Sequence, residues 1–454
     1  MWIALLVLAA MPEWIPARWN SADPKSLELI AQTPINCILL EQPNWTLSKA
    51  AAARNITALG VVHPGAAALD QARQAVSAGA AGVVLDGDFE PAAAGHIRDV
   101  LSDSKIPVVE LSARYRMPLD AALPVIGTNQ GVWPGIQTEP DNSVKAAPSG
   151  AAWIYTNTGF LRFARAASKS LIWVGVTPPE KNTWRVERYL QAVADAAMSG
   201  ARWVVALDPD FEKRLLEGDA AARKDWTRIG QMLRFYEDHK DWRDLPPHGL
   251  LALVQDVPTG ALLSGGILDM IAVKHTPVRP VPVRRLKPGV MGPTKMAVDV
   301  DPEALNTEQK DVLKSFTRAG GMLLSGPPGW KFPSLKESQI TLSDEDTKTL
   351  DNIWKEVNAM TGRRNLGARL FNVSSMLSNL LSAPDGKGVI LHLVNYSDYP
   401  VEGITAQVLG QFKHARLYTP EGEVKELETY PVDEGEGTGV DIDKLAVSGI
   451  VKLD

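Results

Sequence analysis

The chain predicts a multidomain α/β protein: a (β/α)8-type barrel that the sequence leaves one strand short, a small α/β unit of flavodoxin-like layout, and a C-terminal β-sandwich. Three observations predict it. Apolar, β-branched runs alternate with alanine-rich helical stretches through the first half, the alternation restarts after the proline break "DLPPHG", and from about residue 366 short alternating strands replace the helices.

The first-half runs are "INCILLE" from Ile35, "ITALGVV" from Ile56, "AGVVLDGDF" from Ala81, "IPVVELSA" from Ile106, "PVIGTNQ" from Pro124, "LIWVGV" from Leu171 and "RWVVALD" from Arg202. Runs this apolar are buried on both faces, as parallel strands are. "WRVERYLQAVADAAMSGA" is the clearest helix between them, stopping at Gly200, where a terminating glycine belongs. Seven such units in succession fit a barrel better than an open sheet. "AAWIYTN" near Trp153 or "PEWIPARW" before the first run can supply the eighth strand.

After the break come strand "LLALVQD", helix "LLSGGILDMIAVKH", strand "KMAVDV", helix "TEQKDVLKSFTRAGG" and strand "MLLSG", a unit of about three parallel strands. Its "SGG" at Ser264 lacks the spacing of a phosphate-binding loop. The helix around Trp354 leads to the sandwich strands "ARLFNVSSML", "GVILHLVNYS", "ITAQVLG", "HARLYTP", "EVKELETY", "VDIDKL" and "SGIVKL". The expected domains are therefore 1–246, 247–345 and 346–454.

Composition removes several classes of function. With 45% hydrophobic and 22% charged residues the chain can build ample cores. A net charge of -6, relieved only by "VRPVPVRRLK", argues against nucleic acid as a partner. Cys37, the single cysteine, lies in an apolar run and reads as core. No histidine shows metal-ligand spacing, so neither a metal nor a cofactor is expected. "MWIALLVLAAM" reads as an atypical leader for a secreted or periplasmic protein, or else as a buried strand of a cytoplasmic one, and no later run is long enough for a membrane span.

Two stretches carry a family resemblance. "LLSGGILDMIAVKHTPV" with "LNTEQKDVLKSFTRAGGMLLSGPP" resembles the glutamine-amidotransferase-like trimerisation domain of bacterial β-galactosidases, and "GVILHLVNYSDYPVEGITAQVLGQFKHARLYTPEG" resembles their terminal sandwich. The resemblance covers roughly the last 200 residues. It implies a multidomain glycoside hydrolase with a carbohydrate ligand, and it leaves a homo-oligomer open. In such barrels an Asn-Glu pair ends the fourth strand, whereas this chain reads "VVELSAR" there, with Val109 before Glu110.

Glycoside cleavage needs two carboxyl groups at one mouth, and barrels place such groups at the carboxyl ends of strands. The acids so placed are Glu41, Asp86 with Asp88, Glu110, and Asp208 with Asp210. By the count of seven, Glu110 ends the fourth strand and Asp208 the seventh, the positions that hold acid and nucleophile in the resembled barrels, so these two form the leading catalytic pair. Asp86 and Asp88 stand in reserve as ligand-binding groups. Each acid also has a structural reading: Asp210 as a helix N-cap, Asp208 as a cap or a catalytic group, Glu110 as the partner of Arg114 or Arg116. Sugar sites also need amides and aromatic platforms, which Asn129, Gln130 and Trp133 supply in one loop and Trp153, Tyr155 and Asn157 in another, with His63 at a strand end as a further candidate. A non-catalytic glycan-binding descendant and an assembly scaffold are the rival readings.

Overall fold

The computed structural model describes residues 13–121, 123–138, 144–146, 156–179, 183–256, 275–326, 344–362, 367–373, 375–422, 424–432 and 435–454. The eighth barrel strand comes from "PEWIPARW": Pro16–Arg18 forms β1. It pairs in parallel with β2 (Cys37–Leu40). The sheet continues in chain order through β3 (Thr57–Val62), β4 (Gly82–Asp86), β5 (Val108–Ser112), β6 (Val125–Thr128), β7 (Leu171–Val174) and β8 (Ala201–Trp203). Just beyond β8 the chain returns to β1 through a parallel bridge between Ala17 and Val205. There Arg18 N–H donates to Val205 O (2.8 Å) and Val205 N–H to Pro16 O (3.1 Å), closing the barrel.

Side chains alternate along each strand, so one set fills the lumen and the other meets the helices. Cys37, Leu39, Leu59, Val61, Val84, Val109, Leu111, Val125, Trp173 and Val204 form the packed lumen. Burial raises the Cys37 thiol far above its usual range, as suits the inert core residue expected. Trp173 needs room, and Gly127 provides it: a Cβ there would lie 2.4 Å from Leu111 Cδ2 and 2.9 Å from Trp173 O. Outside, α3 (Ala68–Ser77) approaches β3 so closely that a Cβ on Gly60 would lie 2.4 Å from Ala75 Cβ.

The helical layer is thinner than the sequence pattern suggests. Between β5 and β6 there is a 3-10 turn at Arg114–Arg116 instead of an α-helix, since Pro118 and Pro124 deny the segment backbone donors and helical geometry. The clearest predicted helix, α6 (Val186–Ala197), is present, and the left-handed Gly200 (φ 79°) turns the chain into β8. Ten of its twelve residues are buried, which a helix on a solvated barrel would not show. The sandwich covers its outer face: Gln191 Nε2 donates to Asn395 O (3.1 Å) and Ser397 O (3.0 Å), and Tyr396 OH to Asp195 Oδ1 (2.7 Å).

The middle sheet has four parallel strands, one more than the pattern shows: β9 (Leu251–Gln255), β10 (Val278–Pro282), β11 (Met296–Asp299) and β12 (Met322–Ser325), in the order β10-β9-β11-β12. Its hidden member, β10, reads "VRPVP"; prolines cannot donate to a ladder, and the strand lies at the edge, where that is tolerated. A capping box of Asn306 and Gln309 starts the helix Thr307–Arg318. The predicted helix "LLSGGILDMIAVKH", its "SGG" and residues 1–12 lie outside the described residues. Among the described residues no helix is long and apolar enough to cross a membrane.

A helix, Asp344–Thr361, then leads to two antiparallel sheets. One is β13 (Ala368–Phe371), β16 (Val401–Leu409), β20 (Gly437–Leu445) and β19 (Thr429–Val432); the other is β14 (Met376–Ser382), β15 (Val389–Asn395), β21 (Ser448–Leu453), β17 (Ala415–Tyr418) and β18 (Val424–Leu427). Two runs read as single strands, "ARLFNVSSML" and "EVKELETY", each divide between the sheets. The two inner faces share one apolar core.

Two buried ionisable groups give the fold opposite pH dependences. His392, on β15 and fully buried, meets Trp242 O at 3.0 Å through Nε2, and desolvation lowers it from 6.5 to about 4. The unfolded chain therefore binds more protons between pH 6.5 and 4, and stability falls as pH drops through that window, by on the order of 3 kcal/mol. His392→Gln should flatten this part of the melting-temperature profile. Asp299, at the end of β11, is raised by desolvation from 3.8 to about 6. Its contribution is present below pH 3.8 and lost as pH rises through 6, so Asp299→Asn should melt higher than the parent above pH 6 and alike below pH 4.

Candidate functional site at the barrel mouth

The lumen-facing positions change from apolar to charged at the carboxyl ends of the strands. Arg18, from β1, reaches across the lumen and donates through Nη2 to Asp86 Oδ2 at the end of β4. The same guanidinium places Nη1 3.5 Å from Glu41 Oε1, just past β2. Asn129, just past β6, donates through Nδ2 to Asp86 Oδ1 at 3.0 Å. His63, just past β3, lies 3.1 Å from Glu41 Oε2 through Nε2 and 3.2 Å from Asp86 O through Nδ1. Both ring nitrogens thus lie within hydrogen-bond distance of oxygen atoms.

Residues from five strand ends thus converge, with two carboxylates joined by one guanidinium. Exposure grades across the group: the Asp86 side chain is 8% exposed, Arg18 16%, Glu41 39% and His63 56%. A ligand entering the mouth meets His63 and Glu41 first and Asp86 beneath them. Asp88, one loop position further out and exposed, accepts the Ala113 N–H at 2.9 Å. Among the described residues no three His, Cys, Asp or Glu side chains converge as metal ligands.

The leading pair of the sequence reading is not brought together here. Adding β1 moves "VVELS" from fourth strand to fifth, and Glu110 lies inside that strand, not at its end. Val109 and Leu111 point into the lumen, so Glu110 points outward, where it pairs with Arg98 of α4 (Pro91–Ser102), not with Arg114 or Arg116. The strand that is fourth is "GVVLD", ending on Asp86. Likewise the seventh strand is "LIWV", running on into Gly175, and Asp208 follows the eighth. Asp208 is fully buried: Oδ1 accepts Phe211 N–H (3.0 Å) as the N-cap of α7 (Pro209–Glu217), and Oδ2 accepts Tyr189 OH (2.7 Å) and Trp184 N–H (3.3 Å). Asp210, the expected cap, instead sits in the first turn and pairs with Arg214 at 2.8 Å.

The expected platforms divide as well. Trp133 is buried against Trp184, Tyr189 and Trp203, with ring centroids 5.2 to 5.4 Å apart, so it packs in the core instead of stacking on a ligand. Asn157 is also buried, donating to Asp195 Oδ2 (2.8 Å) and Val132 O (3.0 Å) and accepting from Arg114 Nη2 (3.0 Å). Gln130 accepts the Arg114 N–H through Oε1 (3.0 Å). Trp153 and Tyr155 lie outside the described residues. Arg18 is the residue that sequence reasoning passed over; its signal was a lone cation inside the apolar "WIPARW".

A buried ion pair broken on one side leaves an uncompensated charge, at a cost of about 3 kcal/mol or more. Arg18→Met should therefore lower stability by that order, and adding Asp86→Asn should restore a large part of it. Chemical unfolding followed by tryptophan fluorescence measures both, and equal losses in the single and double variants would contradict a buried pair.

No protein-family model matches the chain, and no curated protein sequence does. Among solved structures, an α-L-fucosidase isoenzyme 2 from Paenibacillus thiaminolyticus matches with a TM-score of 0.64 and 12% identity, over 97% of this chain and 99% of that one. Lesser likenesses are to a rhamnosidase from Novosphingobium sp. PP1Y (TM-score 0.49, 12% identity, 79% of this chain and 38% of that one) and an exo-carrageenase from Bacteroides ovatus (0.44, 10%, 85% and 55%). At such identities the likeness is one of fold, and with the fucosidase it extends through barrel, middle sheet and sandwich alike.

Proposed function

We propose that the protein is a glycoside hydrolase that cleaves oligo- or polysaccharide glycosidic bonds at the barrel mouth, with Asp86 and Glu41 as its two carboxyl groups. The observation that carries this reading is their convergence on Arg18 at the carboxyl ends of β2 and β4. One guanidinium contacts both, which holds the two carboxyl groups at one mouth, as glycoside cleavage requires. Asp86, paired with Arg18 and Asn129, suits the role of nucleophile or charge-stabilising group. Glu41, half-buried beside His63, suits proton delivery to the leaving oxygen. Asp88, Asn129 and Gln130 are ligand-binding candidates in the surrounding loops. The domain order, shared in fold with the fucosidase, supports this reading.

A second reading, a glycan-binding protein without catalysis, is favoured by one observation. The seventh strand ends at Val174 and passes into Gly175, so no described carboxylate stands where the resembled barrels hold their nucleophile.

Hydrolysis of a panel of aryl glycosides and oligosaccharides separates the two. Asp86→Asn and Glu41→Gln should each lower kcat/KM by about 10²–10⁴-fold with the protein still folded by thermal melts, while Glu110→Gln stays near the parent. Absence of hydrolysis by the parent, with saturable glycan binding that Asp86→Asn weakens, would replace the first reading by the second.

A further inference from the structure

At the opposite end of the barrel, below the amino-terminal ends of β7 and β8, lies a cavity of about 240 Å³ where the barrel floor, the middle sheet and the sandwich meet. Its wall holds Arg162, Arg165, Lys169, Arg243 and Arg279 against a single acid, Asp244. The carboxylates near them are already shared. Glu237 takes two bonds from Arg243 (3.0 and 3.1 Å) and two from Arg202 (3.0 and 2.7 Å). Asp244, 59% exposed, lies 3.2 Å from Arg165 Nε.

Arg165 also donates to Ser168 O (2.7 Å) and Ser170 O (3.0 Å). Arg279, half-buried, donates to Met291 O (2.8 Å) and Thr294 Oγ1 and has no carboxylate among the described residues. Lys169, exposed at the rim, has no described partner at all. Desolvation pulls Arg165, Arg243 and Arg279 below the usual guanidinium range. Buried charge is costly unless paired, and guanidinium groups pair best with planar or tetrahedral oxyanions that accept several N–H bonds at once.

We propose that this cavity binds a small dianionic oxyanion, phosphate or sulfate, either free or as a monoester, and that the bound anion ties the three units together. Each unit supplies part of the wall: Arg165 and Lys169 from the barrel floor, Arg279 from β10, and Asn379 from β14. The site lies on the opposite face from the mouth, so its occupancy is independent of the sugar chemistry proposed above.

Thermal melts and calorimetric titrations of the full chain with sodium phosphate, sodium sulfate and glucose 6-phosphate, against sodium chloride at matched ionic strength, test it. The expected result is a saturable rise of a few degrees in melting temperature with the oxyanions beyond that with chloride. Lys169→Met should weaken the Kd about tenfold and Arg279→Met more. Lys169 bonds to nothing in the described fold, so its variant should fold as the parent does even if Arg279→Met does not. Tighter binding of glucose 6-phosphate than of phosphate assigns the site to a monoester, and equal or weaker binding assigns it to the free anion. A rise no larger than that with chloride, or one that persists unchanged in Lys169→Met and Arg279→Met, overturns the proposal.

Discussion

The guanidinium of Arg18 crosses the barrel lumen to Asp86, and the backbone of the same residue seals the barrel seam against Val205. Closure and mouth electrostatics therefore rest on one three-residue strand. A cation carried into an apolar lumen would oppose folding unless a carboxylate met it there, and Asp86, placed three strands away, does so. The pairing also works in reverse, because Asp86 at 8% exposure is tolerated only with Arg18 and Asn129 in place. Fraying of β1 would then open the seam and leave Asp86 without its cation at the same time.

The barrel was legible because parallel strands are apolar on both faces, and the same fact hid its details. Seven runs stood out, whereas "IPAR", three paired residues with a proline at one end and a charge at the other, did not look like a strand. Missing it shifted every later strand by one and gave Glu110 and Asp208 positions they do not hold. Parity was lost for the same reason. In a strand with one wet face, alternation tells which residues point inward, but "VVELS" is buried on both faces, and its pattern does not show that Val109 and Leu111 point inward and Glu110 outward. The middle sheet and sandwich were readable in kind and not in count, since the prolines of β10 disguise an edge strand and two runs each cross between sheets.

Amide and acid side chains with the composition of a ligand site turned out to join units. Asn157 and Asp195 come together across 38 residues, and Tyr396 reaches Asp195 across 201. Buried together, they satisfy one another: Asp195 accepts from Tyr396 OH and from both the amide and the backbone N–H of Asn157, although desolvation still raises its carboxyl above the usual range. Buried polar groups need such partners, and a sandwich pressed onto α6 supplies them. Pairings this distant leave no trace in local sequence, so the reading that assigned Asn157 to a sugar had the right residue type in the wrong setting.

Charge is distributed differently at the two ends of the barrel. At the mouth, Arg18 stands within reach of both Glu41 and Asp86, with the His63 ring beside Glu41. A ligand hydroxyl arriving there can exchange with water at Glu41 and His63 without disturbing anything buried, whereas displacing Arg18 from Asp86 would expose the full cost of that carboxylate's burial. In the proposed hydrolase, binding would then be directed to the exposed half of the group, with Asp86 beneath it as a fixed negative charge that needs no rearrangement. At the floor the cations lining the cavity exceed the acids, and Arg165 and Arg279 donate to carbonyls, an arrangement that favours an anion. Under the two proposals above, the matched end would act on an uncharged ligand and the end richer in cations would hold a charged one.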